Sequence, residues 1–139
     1  MKNFKFLEHT ADVKFQARGK TLEELFIAAA QALKETISGK IKVKAKKKKK
    51  IKIKGKDYEN LLYNFLEEIL FLLDAEFFLI SKIENLKIYK KKEYNLIADV
   101  LGDQASNYNF TNEVKAITYN EMFVRQEGKE WICQVVIDV

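Results

Sequence analysis

Apolar positions along the chain change period several times, from two residues to about three and a half and back, and each change marks an element. Phe4-Lys5-Phe6-Leu7 and Val13-Lys14-Phe15-Gln16-Ala17 alternate as short strands, and Gly19 breaks the second. Thr21-Leu22-Glu23-Glu24 then has the form of a capping box. Leu22, Leu25, Phe26, Ala29, Ala30 and Leu33 recur at helical spacing, which predicts a helix from about Leu22 to Thr36, closed by Ser38-Gly39. From Lys40 to Gly55, Ile41, Val43 and Ala45 share one face, Ile51 and Ile53 share one face, and lysines take the other. That pattern predicts one long strand, or two short ones, with a solvated outer face. Asp57 is placed to cap a second helix. The apolar stripe of that helix (Leu61, Leu62, Phe65, Leu66, Ile69, Leu70, Leu73) is too broad for a surface helix and predicts packing across a sheet, with Asp74-Ala75-Glu76 at its end.

The remainder reads as strands over roughly Phe77 to Tyr89, Tyr94 to Gly102, Glu113 to Arg125 and Lys129 to Asp138. Lys90-Lys91-Lys92-Glu93 and Gln126-Glu127-Gly128-Lys129 read as hairpin turns, and a polar loop lies between Gly102 and Thr111. The order β-β-α-β-α-β-β-β-β predicts one α+β domain over residues 1–139, with two helices packed on one face of a mostly antiparallel or mixed sheet. No linker and no repeat of supersecondary size is visible.

Composition narrows the class. The chain has 139 residues, 47% of them hydrophobic, enough for a core without staples. It has no run of eighteen apolar residues, so no membrane span is expected. The start, Met1-Lys2-Asn3-Phe4-Lys5-Phe6, lacks the apolar core of a secretory signal. The single cysteine, Cys133, has no internal disulfide partner and sits in an apolar strand run, so an inert core thiol and a cytoplasmic setting are expected. The net charge of +5 is a mild bias toward nucleic acid or another acidic partner, and much of it comes from Lys40 to Lys56.

Four constellations carry candidate chemistry. The run Lys46 to Lys50 could follow a phosphate backbone, yet no aromatics are interleaved with it and no arginine fork accompanies it. A solvated strand or hairpin whose lysines guard against edge pairing is the favoured account. His9 is the lone histidine and lacks a visible nucleophile, so a hydrolytic pairing with Cys133 is disfavoured. Three residues before Asp12, it is placed to orient a carboxylate or a backbone carbonyl. Asp12, Asp138 and the carboxylate of Val139 would offer hard oxygen ligands to Ca²⁺, Mg²⁺ or Mn²⁺ if the two chain ends meet; otherwise Asp12 merely caps a turn and the terminus frays. Finally, strand alternation would put Glu113, Lys115, Ile117 and Tyr119 on one face of the run Glu113 to Tyr119. There Lys115 would pair with Glu113, balance an acidic site, or reach a phosphate.

Together these pieces resemble the archease family. The resemblance rests on His9-Thr10-Ala11-Asp12-Val13, Gly19, Thr21-Leu22-Glu23-Glu24-Leu25-Phe26 with Ala28-Ala29, and Asn60-Leu61-Leu62 with Leu66. It is sharpest at Glu113-Val114-Lys115-Ala116-Ile117-Thr118-Tyr119 and at the ending Trp131 to Ile137-Asp138-Val139. It implies an accessory protein rather than an independent enzyme, one that activates the GTP-dependent RNA ligase joining tRNA exon halves by promoting its guanylylation and repeated turnover. It implies a divalent cation held by Asp12, Asp138 and the Val139 carboxylate; calcium is favoured over magnesium or manganese because it tolerates an irregular ligand set. Lys115 and His9 match motif residues of the family. The chain departs from the family where Lys14 follows Asp-Val in place of glycine, and where Asn109 and Asn120 stand near positions often occupied by histidine. Two other readings stay open: a chaperone or adaptor module using apolar edge surface, and a basic RNA-binding domain centred on Lys42 to Lys56. Direct contact with tRNA is left undecided.

Overall fold

The computed structural model describes residues 3–8 and 11–139. Among these, the elements run β1 (Phe4–Leu7), β2 (Val13–Gly19), α1 (Leu22–Ser38), β3 (Lys47–Gly55), α2 (Tyr58–Glu76), β4 (Phe78–Lys91), β5 (Glu93–Gln104), β6 (Ala116–Glu127) and β7 (Glu130–Asp138). The class is α+β, as expected. The strands, however, divide into two antiparallel sheets, β1-β2-β7-β6 and β3-β5-β4, where one had been expected. The helices explain the division. Helix α1 packs on β2 and β4, and α2 packs on β3 and β6, so each helix touches both sheets. A helix caught this way must be apolar over most of its circumference. Helix α1 accordingly buries Leu25, Phe26, Ala28, Ala29, Ala30, Ala32, Leu33 and Ile37. The helices meet through Phe26 and Phe65, whose ring centroids are 5.8 Å apart.

The two strand-to-helix joints are built alike. A Cβ on Gly19 would lie 2.6 Å from the Leu25 nitrogen, and one on Gly55 would lie 2.5 Å from the Leu61 nitrogen. Thr21 accepts a hydrogen bond from the Glu24 N–H at 3.1 Å, and Asp57 accepts one from the Asn60 N–H at 2.7 Å. In the same first turns, the Glu23 carboxylate accepts from the Ile88 N–H at 3.3 Å and the Glu59 carboxylate from the Val124 N–H at 3.1 Å. Both donor strands carry an irregularity just before that point, with Asn85 and Glu121 each at φ 54°. Each of these pairs of residues is 36 positions apart in the sequence.

The fold is therefore a duplication. The unit β2-α1-β4-β5 is repeated as β3-α2-β6-β7, and the copies exchange strands so that β2 pairs with β7 and β3 with β5. This corrects the expectation of no repeat. The repeat is hidden because it conserves joints rather than side chains: Ala28, Ala29 and Ala32 of α1 stand where α2 has Asn64, Phe65 and Glu68.

Two further expectations change. The strand expected from Lys40 begins only at Lys47, and residues 41–46 are irregular. Their backbone bonds go to side chains instead: Lys34 donates to the Ile41 carbonyl, Ser81 to the Val43 carbonyl, and the Lys44 N–H to the Tyr108 hydroxyl. Val43 is buried, while Ala45, expected on the same face, is exposed. The Tyr108 hydroxyl in turn donates to Asp103 at 2.8 Å. With the Gln104 N–H, it holds the Asp103 carboxyl below the usual carboxylate range. This chain of bonds latches two irregular segments, before β3 and after β5, to each other and to the sheet.

Replacing Gly55 with alanine forces the first turn of α2 off β3 and is expected to cost about 1–3 kcal/mol by urea denaturation. Asp103→Asn tests the latch. Asp103 is more acidic folded than free, so its contribution is present above the ordinary carboxylate pKa of 3.8 and is lost as pH falls through the lower folded value. The variant should melt below the wild type at pH 6, and the gap should close toward pH 3.

Candidate functional site

Strand β7 lies between β2 and β6, and its register decides what meets at the end of the four-stranded sheet. Val13 is opposite Ile137, and Ala116 is opposite Asp138. Asp12 lies in a bend just before Val13, and Asp138 follows Ile137, so both acids adjoin the last β2–β7 pair. The Lys115 N–H donates to the Asp138 carbonyl at 2.8 Å. Asp12, Asp138, Val139 and Lys115 are thus brought to one end of one sheet. Asp12 and Asp138 are both half-buried. By alternation and register Asp138 is on the face that carries Lys14 and Gln16, away from Phe15, Ala17 and Ile137 in the core. Val139 packs against the core, so the last residue is seated rather than frayed. His9 lies outside the described residues.

The residues expected to hold a cation, two aspartates and the Val139 carboxylate, would offer hard oxygens, which suit Ca²⁺, Mg²⁺ or Mn²⁺ and not a thiophilic metal. Among the described residues no group of three or more His, Cys, Asp or Glu side chains is placed to hold a metal ion. Cys133 takes no part. It is fully buried, and burial pushes its thiol up to about 12, which leaves it a neutral core group.

Lys115 departs from the expected pattern. The run is a strand only from Ala116, and Ile117 is buried while Lys115 and Tyr119 are exposed, so the three do not share an environment. The Lys115 side chain lines a groove of about 430 Å³ against α2, with Asn64, Glu67, Phe71 and Asp74 among its other walls. Tyr119 lies flat on Tyr63 of α2, with centroids 4.2 Å apart and planes 9° apart, and its hydroxyl accepts from Asn60 at 2.8 Å. Burial, followed by the neighbouring Glu67 carboxylate, raises the Tyr63 hydroxyl above its ordinary pKa. Phe71 is 53% exposed beside these groups. This acidic, aromatic second face of α2 was missed in the sequence. Its signal was present in Asn60, Tyr63, Asn64, Glu67, Phe71 and Asp74, which recur at helical spacing opposite the core stripe.

The model of the Archease protein family (MTH1598/TM1083) matches residues 4–139. This chain belongs to the archease family. Protein archease of Pyrobaculum neutrophilum is 41% identical over 99% of the chain and 95% of that protein. Protein archease of Pyrococcus abyssi is 39% identical over the whole of both. The solution structure of Protein 1598 of Methanobacterium thermoautotrophicum superposes with a TM-score of 0.87 at 35% identity and covers all of both chains. A crystal structure of an archease from Thermotoga maritima, described as a possible chaperone, has a TM-score of 0.63 at 18% identity over 97% of this chain and 96% of its own, and it supports the fold alone. Among the described residues, no helix is long and apolar enough to cross a membrane.

Proposed function

We propose that this archease-family chain is a metal-binding accessory protein that activates a GTP-dependent RNA ligase in tRNA splicing, promoting the ligase's guanylylation and multiple turnover. The observation that supports the reading is the β2–β7–β6 register, in which Val13 faces Ile137 and the Lys115 N–H meets the Asp138 carbonyl, so that Asp12, Asp138 and Lys115 come to the same end of one sheet. Asp12, Asp138 and the Val139 carboxylate would hold the cation. Calcium fits better than magnesium, because a set that includes a chain-end carboxylate is irregular and magnesium demands a stricter octahedron. When bound, the cation would supply positive charge to phosphate or carboxylate oxygens at the interface with the ligase. The residues of the chain do the positioning. The core side chains Val135 and Ile137 fix β7, the Lys115 N–H fixes the Asp138 carbonyl, and the Lys115 ammonium offsets the negative edge of α2. His9 enters through its motif alone, as the residue that orients the Asp12 segment. Phe71 and Tyr119 give the ligase an exposed apolar contact beside Lys115.

The test is ligase turnover at sub-stoichiometric amounts of this protein, with Asp12→Ala and Asp138→Ala beside the wild type. Loss of repeated turnover in both variants is expected, whereas full activation by both folded variants would refute the metal role. A parallel melting experiment separates binding from activation. Calcium at a hundredfold excess over its Kd stabilises the wild type by about 2.7 kcal/mol, and Asp138→Asn should abolish that shift.

A further inference from the structure

The outer face of the three-stranded sheet has no counterpart in the proposed activation. By alternation and register, β3 presents Lys48, Lys50, Lys52 and Lys54 outward, opposite Leu101, Asp99, Ile97 and Asn95 of β5. Across β5, the same face receives Lys82, Lys87 and Tyr89 from β4. All six lysines are exposed, and so is Tyr89, at 41%. The carboxylates in this stretch are engaged: Glu84 with Lys82 at 3.1 Å, and Asp99, 8% exposed, with the Asn85 amide at 2.9 Å. One sheet face therefore holds most of the chain's net charge of +5. Between the lysine rows lies a hollow of about 450 Å³, lined by Lys50, Lys52, Asn85, Lys87, Ile97 and Asp99.

We propose that this hollow binds single-stranded nucleic acid, with the lysine rows on the phosphate backbone and Tyr89 and Ile97 against the bases. Alternate lysines on β3 repeat about every 6.7 Å, a step comparable to that between successive phosphates of an extended strand. The two rows flank β5 at one strand spacing each, so they stand about 10 Å apart. That width admits one strand with its bases turned inward, whereas a duplex would keep its bases from the apolar floor. The lysine run has no aromatic of its own, as the sequence indicated. The fold supplies one from β4. Lysines that only protect the two free edges of this sheet, β3 and β4, would not require the hollow between them. An acidic protein surface would satisfy the lysines but not Ile97 in the hollow or the exposed Tyr89 on the same face beside it, which favours a ligand with stacking faces.

The experiment is fluorescence anisotropy of a labelled twelve-residue oligouridylate with the full chain, titrated from 50 to 200 mM NaCl. The wild type is expected to bind with a log–log salt slope of about −2 to −3, as for three or four neutralised phosphates on a single strand. The triple Lys50→Gln, Lys52→Gln, Lys87→Gln should lose about tenfold or more at 50 mM and flatten the slope by about 2. A control triple with the same loss of charge elsewhere, Lys5→Gln, Lys20→Gln, Lys129→Gln, should lose less than about threefold. Tyr89→Ala should lose about fivefold with the slope unchanged. Circular dichroism confirms that each variant is folded, and Tyr89→Ala leaves the lysines in place should the triple fail. No salt-dependent binding by the wild type, equal losses in the two triples, or competition by polyglutamate as strong as by unlabelled RNA of the same charge would each overturn the proposal.

Discussion

Everything in this fold depends on two helices being held between two sheets that share no ladder. A helix buried on two sides cannot tolerate a loose entry, because a shift of its first turn would reach both sheets at once. Gly19 and Gly55 remove the Cβ where the strand meets that first turn, and Thr21 and Asp57 fix the turn's orphan amides. Glu23 and Glu59 then reach across to the amides of Ile88 and Val124 on irregular strands. A backbone N–H freed by a bulge would otherwise stay unpaired. Tyr58 closes the arrangement from the side. It touches Tyr94 of one sheet at 4.6 Å and Trp131 of the other at 5.5 Å.

The candidate site inherits its order from that constraint. Phe15, Cys133, Val135 and Ile137 are all fully buried against the helices, so β2 and β7 cannot slip by one residue without turning these side chains to solvent. The same register ends at Val13 and Ile137, and Asp12 and Asp138 stand next to that last pair. Their place at the end of the sheet therefore follows from strands whose position the core already dictates.

Much of this was legible in the sequence, and the part that was not has a physical cause. The capping box at Thr21, the broad stripe of α2 and the hairpin turns follow from local spacing. Residues 41–46 alternate like a strand, yet the side chains of Ser81, Lys34 and Tyr108 satisfy their backbone, and these partners are far away in sequence. Glu113 to Lys115 read as strand for the same reason. Only the Lys115 amide joins the ladder, and the preceding amide of Val114 is taken by the Asn112 side chain. The division into two sheets could not be read at all, because alternation specifies which face is buried but not which strand lies next to which.

The duplication also shows where the two halves have parted. Up to the hairpins the copies run 36 residues apart, with Lys92 and Gly128 as the turn residues at positive φ. The first hairpin is one residue shorter, pairing Lys91 with Glu93 where the second pairs Glu127 with Glu130. Beyond the turn the offset is therefore 37, and Tyr94 corresponds to Trp131, the two rings that flank Tyr58. Carried to the far end of the sheets, the same offsets relate Asp12 and Asp138 to Lys48 and Leu101, which face each other. One scaffold thus ends in two acids in one sheet and in a lysine and a leucine in the other. The shared joints fix where each end lies and leave its residues free to differ, just as the two helices differ at Ala28 and Asn64, Ala29 and Phe65, and Ala32 and Glu68.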